Sequence, residues 1–246
     1  SLGPCAQGCA PPTQPDIVAL DAFATPAQRI QYLAPLARGD KRSCFAMTEP
    51  APGFELVRDV PTMEPFHLGG HGEIRLTQCQ VGPDALLGVE GRGLDQAQLR
   101  LEGARLFHCM RFIGLAARAI DTARDYAAQR QSKGVALAEH QMVQAMVADA
   151  HIELYAARLM VLDVARRLDA GESIRHVSSM AKVFVSEAVN RVADSAVQIT
   201  GALGISEDLP LSMILRMLRP FRIYDGASEV HRTAIARRVF NHRLPA

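Results

Sequence analysis

The sequence predicts a mainly α-helical protein, with a C-terminal antiparallel helical bundle preceded by a partial small β domain and a short helical N-terminal part. Three observations carry this prediction. Proline is absent from Asp84 through Asp208, apolar residues recur there at spacings of three and four, and glycines at 171, 201 and 204 break the helical pattern within the span.

Along the chain, the first residues are irregular, with Pro4, Pro11, Pro12 and Pro15, and one short helix is expected near Ile17 to Phe23. A better helix follows. Thr25 reads as its N-cap, Pro26 as its first residue and Gly39 as its stop, with Ile30, Leu33 and Leu36 on one face. Ser43 to Met47 and the stretch holding Ile74, Leu76 and Cys79 read as short strands, separated by turns carrying Pro50, Pro52, Gly53, Gly69, Gly70 and Gly72. From Leu94 the pattern turns helical, and the first long helix is expected to run to Arg130, on the order of 55 Å at 1.5 Å per residue. A second is expected from Ala138 to Leu168, and a third with Val177, Ala181, Phe184, Ala188, Val192 and Ile199 on one face. Pro210 opens a short fourth helix, and a fifth begins after Gly226 and ends near Phe240. The shift near residue 92 is the expected domain boundary.

Composition excludes several classes of function. The 246 residues include 27 basic and 26 acidic ones, a net charge of +1, so no chain-wide field attracts nucleic acid or an anionic membrane. No apolar run approaches the roughly 20 residues that cross a bilayer, and Asp16 and Asp21 interrupt the N-terminal stretch. A cytoplasmic location is therefore expected. Five cysteines are too few and odd in number for a disulfide framework, which fits a reducing compartment. Cys5 and Cys9 lack companion ligands, and His67 and His71 share a loop rather than a helix face, so no metal is expected.

Several short patterns could carry chemistry. In Tyr224-Asp225-Gly226, a carboxylate sits between two helices beside a glycine that permits close approach of a ligand; it could act as a base or cap the following helix. Gln198 to Gly204 either exposes amides to a phosphate or closes a helix. Thr48-Glu49-Pro50 could present polar groups at a strand end or simply punctuate it. Arg130 to Gly134 could hold an anion, or be a C-terminal turn whose cations suit the helix dipole. His108, among apolar neighbours on the long helix, reads as a core or interface residue.

Taken together and in order, FAMTEP (residues 45–50), LLGVEGRG (86–93), RQSKG with AEHQ (130–141), VQITGALGI (197–205) and IYDGASEVHR (223–232) resemble the acyl-CoA dehydrogenase family of flavoproteins. The resemblance implies α,β-dehydrogenation of an acyl-CoA thioester, with FAD as cofactor and electron-transfer flavoprotein as acceptor. It implies that Asp225 is the base, where most members carry Glu, and that Tyr224, Gly226 and Arg105 lie on the substrate side. In a few members the base stands instead directly before the arginine aligned with Arg105; here that position is Ala104, with Glu102 nearby. Phe45, Met47 and Thr48 would line the flavin, and Ala227, Ser228 and Glu229 form another FAD-contacting stretch, in which Ala227 and Glu229 replace the usual Thr and Gln. Arg130, Ser132, Gln141, Gln198, Gly201 and Ala202 would reach the FAD of a neighbouring subunit, which implies a homodimer or homotetramer. Lys133 replaces an aromatic residue there.

The resemblance also divides the chain. Residues 1–40 match a remnant of an N-terminal helical domain, 41–91 a partial β domain and 92–246 the helical bundle. Between Gly53 and Phe54 the family carries a Gly-Ser-Asp element, several strands and a Trp-containing loop, so the expected whole protein is longer than this sequence. Two alternatives stay open: a non-catalytic scaffold subunit of a related assembly, and an acyl-CoA oxidase.

Overall fold

The computed structural model describes residues 13–41, 43, 55–61, 72–75 and 80–241. The expected strand from Ser43 to Met47 lies outside the described residues apart from Ser43, which is not in a strand, and the Thr48-Glu49-Pro50 turn, His67, His71 and four of the five cysteines, Cys5, Cys9, Cys44 and Cys79, also lie outside them. The described residues divide into two compact units within one long helix, between Ala104 and Arg105.

In the first unit, helix α1 (Thr13–Phe23) begins earlier than its sequence pattern suggested. Helix α2 is built from an α-helical start (Pro26–Gln28), a wide π-type turn (Arg29–Leu33) and an α-helical end (Ala34–Arg38). Its caps are the expected ones. Thr25 Oγ1 accepts from Gln28 N at 3.3 Å while Gln28 Oε1 accepts from Thr25 N at 2.9 Å, and Gly39 closes the helix at φ +80°. The face differs from expectation, because Ile30 is 76% exposed and Gln28 is buried with Leu36. The wide turn holds one residue more than an α-turn, so residues eight apart align and Ile30 swings outward. Gln28 Nε2 also donates to the carbonyls of Asp84 and Leu86 at 2.7 and 3.0 Å.

Strands β1 (Glu55–Asp59) and β2 (Gly72–Arg75) pair antiparallel, with a register shift between Leu56 and Arg58. β2 overlaps the expected Ile74 strand, whereas β1 was not foreseen. An ion pair of Arg58 and Glu73 at 2.8 Å crosses the ladder. A buried ion pair joins Asp16 on α1 to Arg100, and Ser43 also donates to Asp16.

Helix α3 (Gly93–Gln129) is 37 residues long and matches the expected length to within a residue at each end. Beyond it, the second unit contains the hairpin strands β3 (Gln131–Ser132) and β4 (Val135–Ala136), then α4 (Gln141–Asp169), α5 (Arg175–Thr200), α6 (Ala202–Ile205), α7 (Leu211–Leu218) and α8 (Ser228–Phe240). The turn at Arg130 is thus a two-residue hairpin rather than a simple C-terminal turn. Lys133 (φ +52°) and Gly134 (φ +84°) are both left-handed, the backbone that matches strand twist.

Between α4 and α5 the chain reverses at Gly171 (φ +72°), so the two helices pack antiparallel. Small residues line the centre of the bundle. Ala116, Ala119, Ala123 and Ala127 on α3, Ala150 and Ala157 on α4, and Ala181, Ala188, Ala193 and Ala196 on α5 are each at most 3% exposed. Larger residues fill the layers around them, with Phe112, Ile120, Val164, Val185, Val189 and Val192 joined by Leu211, Ile214 and Leu218 from one stripe of α7. Among the described residues no helix is long and apolar enough to cross a membrane.

Candidate active site

A short 3-10 turn (Arg219–Arg222) follows α7, and the amides of Ile223 and Tyr224 both bond to the carbonyl of Pro220 at 2.8 and 3.1 Å. The chain then reverses through two successive left-handed residues, Asp225 (φ +55°) and Gly226 (φ +91°). Aspartate tolerates that backbone better than most side chains, and glycine takes it freely. Gly226 is required for a second reason, since a Cβ there would lie 2.7 Å from His231 Nε2.

Both carbonyls of the reversal are held from neighbouring helices. The Asp225 carbonyl accepts from Arg105 Nε at 3.1 Å and from His231 Nε2 at 3.0 Å, and the Gly226 carbonyl accepts from Lys182 Nζ at 2.7 Å. Arg105 comes from α3, Lys182 from α5 and His231 from α8, so three helices fix one turn. A carbonyl can only accept, so the His231 proton is on Nε2. Burial pushes the His231 pKa down, partly offset by the bond to the Asp225 carbonyl.

The Asp225 carboxylate does not cap α8. That cap position is Ala227, which makes no side-chain cap bond, while Asp225 Oδ2 lies 2.6 Å from His108 Nδ1. Their side chains are 13% and 10% exposed. The imidazole lies nearly parallel to Phe112, with centroids 6.0 Å apart, and meets Tyr224 edge-on at 5.2 Å and Phe221 at 5.9 Å. Below this layer Lys182 is fully buried, with its ammonium 5.2 Å from the Phe221 ring centroid. Burial pulls Lys182 down to about 8, against the attraction of Asp225, and pushes the Cys109 thiol up to about 12. A carboxylate shielded from bulk water, with its backbone held from three helices, can exchange a proton in a defined direction.

The residues predicted to face a cofactor fall into two groups within this unit. Ala227, Ser228 and Glu229 are beside Asp225. Ser228 is buried, with its hydroxyl 3.4 Å from Ser186 Oγ, and of the three only Glu229 is exposed to solvent. Arg130, Ser132, Gln141, Gln198, Gly201 and Ala202 gather at the other end of the bundle, where α3 and α5 finish and α4 begins. The helical rise places Arg130 roughly 37 Å along α3 from Arg105. Arg130, Gln141 and Gln198 are exposed and make no side-chain hydrogen bond among the described residues. Gly201 (φ +59°) bonds Val197 O through its amide at 2.9 Å, and Gly204 packs where a Cβ would strike Val197 O and Thr200 Oγ1, so both glycines serve the helix end. Phe45, Met47 and Thr48 lie outside the described residues.

Sequence reasoning missed three residues of the site. His108 stands three residues after Arg105 and four before Phe112, so all three share the buried face of α3. Lys182, one of only three lysines, shares the buried face of α5 with Ser178 and Val185. Those spacings were a readable signal. His231 carried no such mark.

A family model for the acyl-CoA dehydrogenase C-terminal domain matches residues 91–240. Acyl-CoA dehydrogenase family member 11 of Rattus norvegicus is 35% identical over 207 residues, covering 82% of this chain and 26% of the relative, so the chain spans about a quarter of that protein's length. The Mycobacterium tuberculosis protein named Probable acyl-CoA dehydrogenase FadE2 is 30% identical over 303 aligned residues, covering 96% of this chain and 74% of the relative. That alignment is longer than the 246-residue chain and therefore opens gaps within it. A solved structure of a candidate acyl-CoA dehydrogenase from Mycobacterium abscessus matches with a TM-score of 0.88 at 26% identity, over 96% of this chain and 75% of the other.

Proposed function

Because this chain belongs to the acyl-CoA dehydrogenase family, we propose that it carries out FAD-dependent α,β-dehydrogenation of an acyl-CoA thioester, with Asp225 as the base. The observation that carries the reading is the reversal at 225–226, where Arg105, Lys182 and His231 hold both carbonyls and set the carboxylate against His108 Nδ1 at 2.6 Å. A helix cap needs none of these supports.

The α-C–H of a thioester is a weak acid, and a carboxylate removes its proton only where donors stabilise the enolate-like oxygen. In this reading Asp225 takes the α-proton, and the aromatic wall of Phe112, Phe221 and Tyr224 keeps water from the carboxylate. FAD, when bound, would supply the acceptor for the β-hydrogen.

The residues present fit that cofactor. A guanidinium at Arg130 and neutral amides at Gln141 and Gln198, exposed and without side-chain hydrogen bonds among the described residues, suit phosphate and adenosine acceptors. Their distance from Asp225 supports assigning them to the FAD of a neighbouring subunit, in a homodimer or homotetramer. Acyl-CoA is the proposed substrate and electron-transfer flavoprotein the proposed acceptor. Residues 1–40, 41–91 and 92–246 are read as parts of the family's N-terminal, β and C-terminal domains.

A non-catalytic scaffold subunit is the second reading, favoured by the gaps that the 303-residue alignment opens in this chain. Intact mass and the visible spectrum, before and after anaerobic addition of butyryl-, octanoyl- and palmitoyl-CoA, separate the two. A bound flavin that bleaches on acyl-CoA addition is the expected result. A colourless protein that takes up no added FAD overturns the enzyme reading and leaves the scaffold.

A further inference from the structure

The dehydrogenation proposed above leaves His108 without a role, although its ring is in direct contact with the proposed base. Its 2.6 Å contact to Asp225 Oδ2 is the only hydrogen bond the imidazole makes among the described residues. An ionised carboxylate only accepts, so a neutral imidazole in this contact carries its proton on Nδ1. The rest of the ring faces Phe112, Phe221 and Tyr224, a setting with few acceptors for a second N–H. Charged and titratable groups near the pair include Arg105 and Cys109 on α3, Lys182 on α5, Tyr224 in the reversal and His231 on α8.

Geometry gives this contact a consequence. Aspartate reaches less far than glutamate and has only two side-chain torsions, so anchoring Oδ2 fixes where Oδ1 points. The ring that anchors it is itself wedged between aromatic side chains and cannot follow a wandering carboxylate.

We propose that His108 is the positioning residue for Asp225: its ring donates from Nδ1 to Oδ2 and turns Oδ1 toward the α-carbon of the acyl group. This rests on the reading of Asp225 as the base. In the step, the α-C–H bond breaks and an O–H bond forms on Oδ1. No proton passes to or from His108, and Oδ2 remains an acceptor both before and after.

The test combines three variants of the FAD-loaded protein with one spectrum. Deuterium exchange at the α-carbon of whichever of the three acyl-CoAs bleaches the flavin is followed in wild type, His108→Phe, His108→Asn and Asp225→Asn. His108→Phe keeps the ring's bulk and removes the donor, and exchange is expected to slow about 10- to 100-fold, as for a hydrogen bond to a charged group, with acyl-CoA affinity unchanged. His108→Asn offers an amide N–H near the place of Nδ1 and recovers most of the rate. Histidine 15N spectra of the substrate-free protein should show the His108 proton on Nδ1, and that signature should change in Asp225→Asn.

Native exchange in His108→Phe, equal loss in the Phe and Asn variants, or a proton found on Nε2 each overturns the proposal. Native exchange in Asp225→Asn overturns the base assignment itself. Loss of exchange in Asp225→Asn beside native exchange in His108→Phe overturns the positioning role alone.

Discussion

Asp225 and His108 are 117 positions apart in the chain, yet Oδ2 and Nδ1 lie 2.6 Å from one another. The contact depends on α3 presenting Arg105 and His108 on one face, and on a reversal tight enough to bring the carboxylate back to that face.

Asp225→Asn keeps the size and the left-handed tendency of the residue but cannot accept the α-proton. Exchange of a bound acyl-CoA is expected to fall by about 10²- to 10⁴-fold, with FAD binding retained. Deuterium incorporation read by mass spectrometry decides it, and exchange at the native rate would move attention to Glu102.

Gly226→Ala meets two obstacles together, a φ of +91° and a Cβ placed 2.7 Å from His231 Nε2. A loss of about 1–3 kcal/mol is expected in urea unfolding. Gly39→Ala is the control, because Gly39 shares the positive φ but has nothing within 4 Å of the added carbon. If the two lose equal stability, the crowding at His231 contributes nothing.

Lys182 carries a pH signature. Burial lowers its folded-state pKa from 10.5 to about 8, so between pH 8 and 10.5 the unfolded chain binds a proton that the folded protein has released. Stability rises with pH wherever the unfolded state binds more protons. Wild type should therefore gain in Tm relative to Lys182→Met as pH rises from 8 to 10. A constant difference across that range would show that Lys182 titrates alike in both states.

Cys109 is buried, and burial pushes its thiol up to about 12. At pH 8 almost no thiolate exists, and the native protein should leave Cys109 unmodified by iodoacetamide for as long as it stays folded. Peptide mapping before and after denaturation reads the difference. Native labelling of Cys109 as fast as in denaturant would contradict the packing of α3.

Much of this arrangement is legible in the sequence. Thr25, Pro26 and Gly39 bound α2 because cap chemistry is local, and five of the six described helices from α3 to α8, all but the short α6, follow from apolar spacing together with Gly171, Gly201 and Gly226. What escaped detection depends on partners distant in the chain. Ile30 faces outward because a π-type turn shifts the register, and no residue pattern marks that turn. His108 and Lys182 are polar residues on apolar faces, and their meaning appears only once the 225–226 reversal is folded against them. Asp225 itself is marked by its motif, whereas its partner His108 reads in the sequence as a core or interface residue.

The alanine-lined seam of α3, α4 and α5 sets what variation this bundle can absorb. Truncating a side chain that is already a single methyl group removes little, whereas each added methylene has no vacant space to enter and must push a helix aside. Variation is thus one-sided along the seam: exchanges among glycine, alanine and serine are the changes it can accept, and larger substitutions must arise in compensating pairs or on the outer faces of the helices.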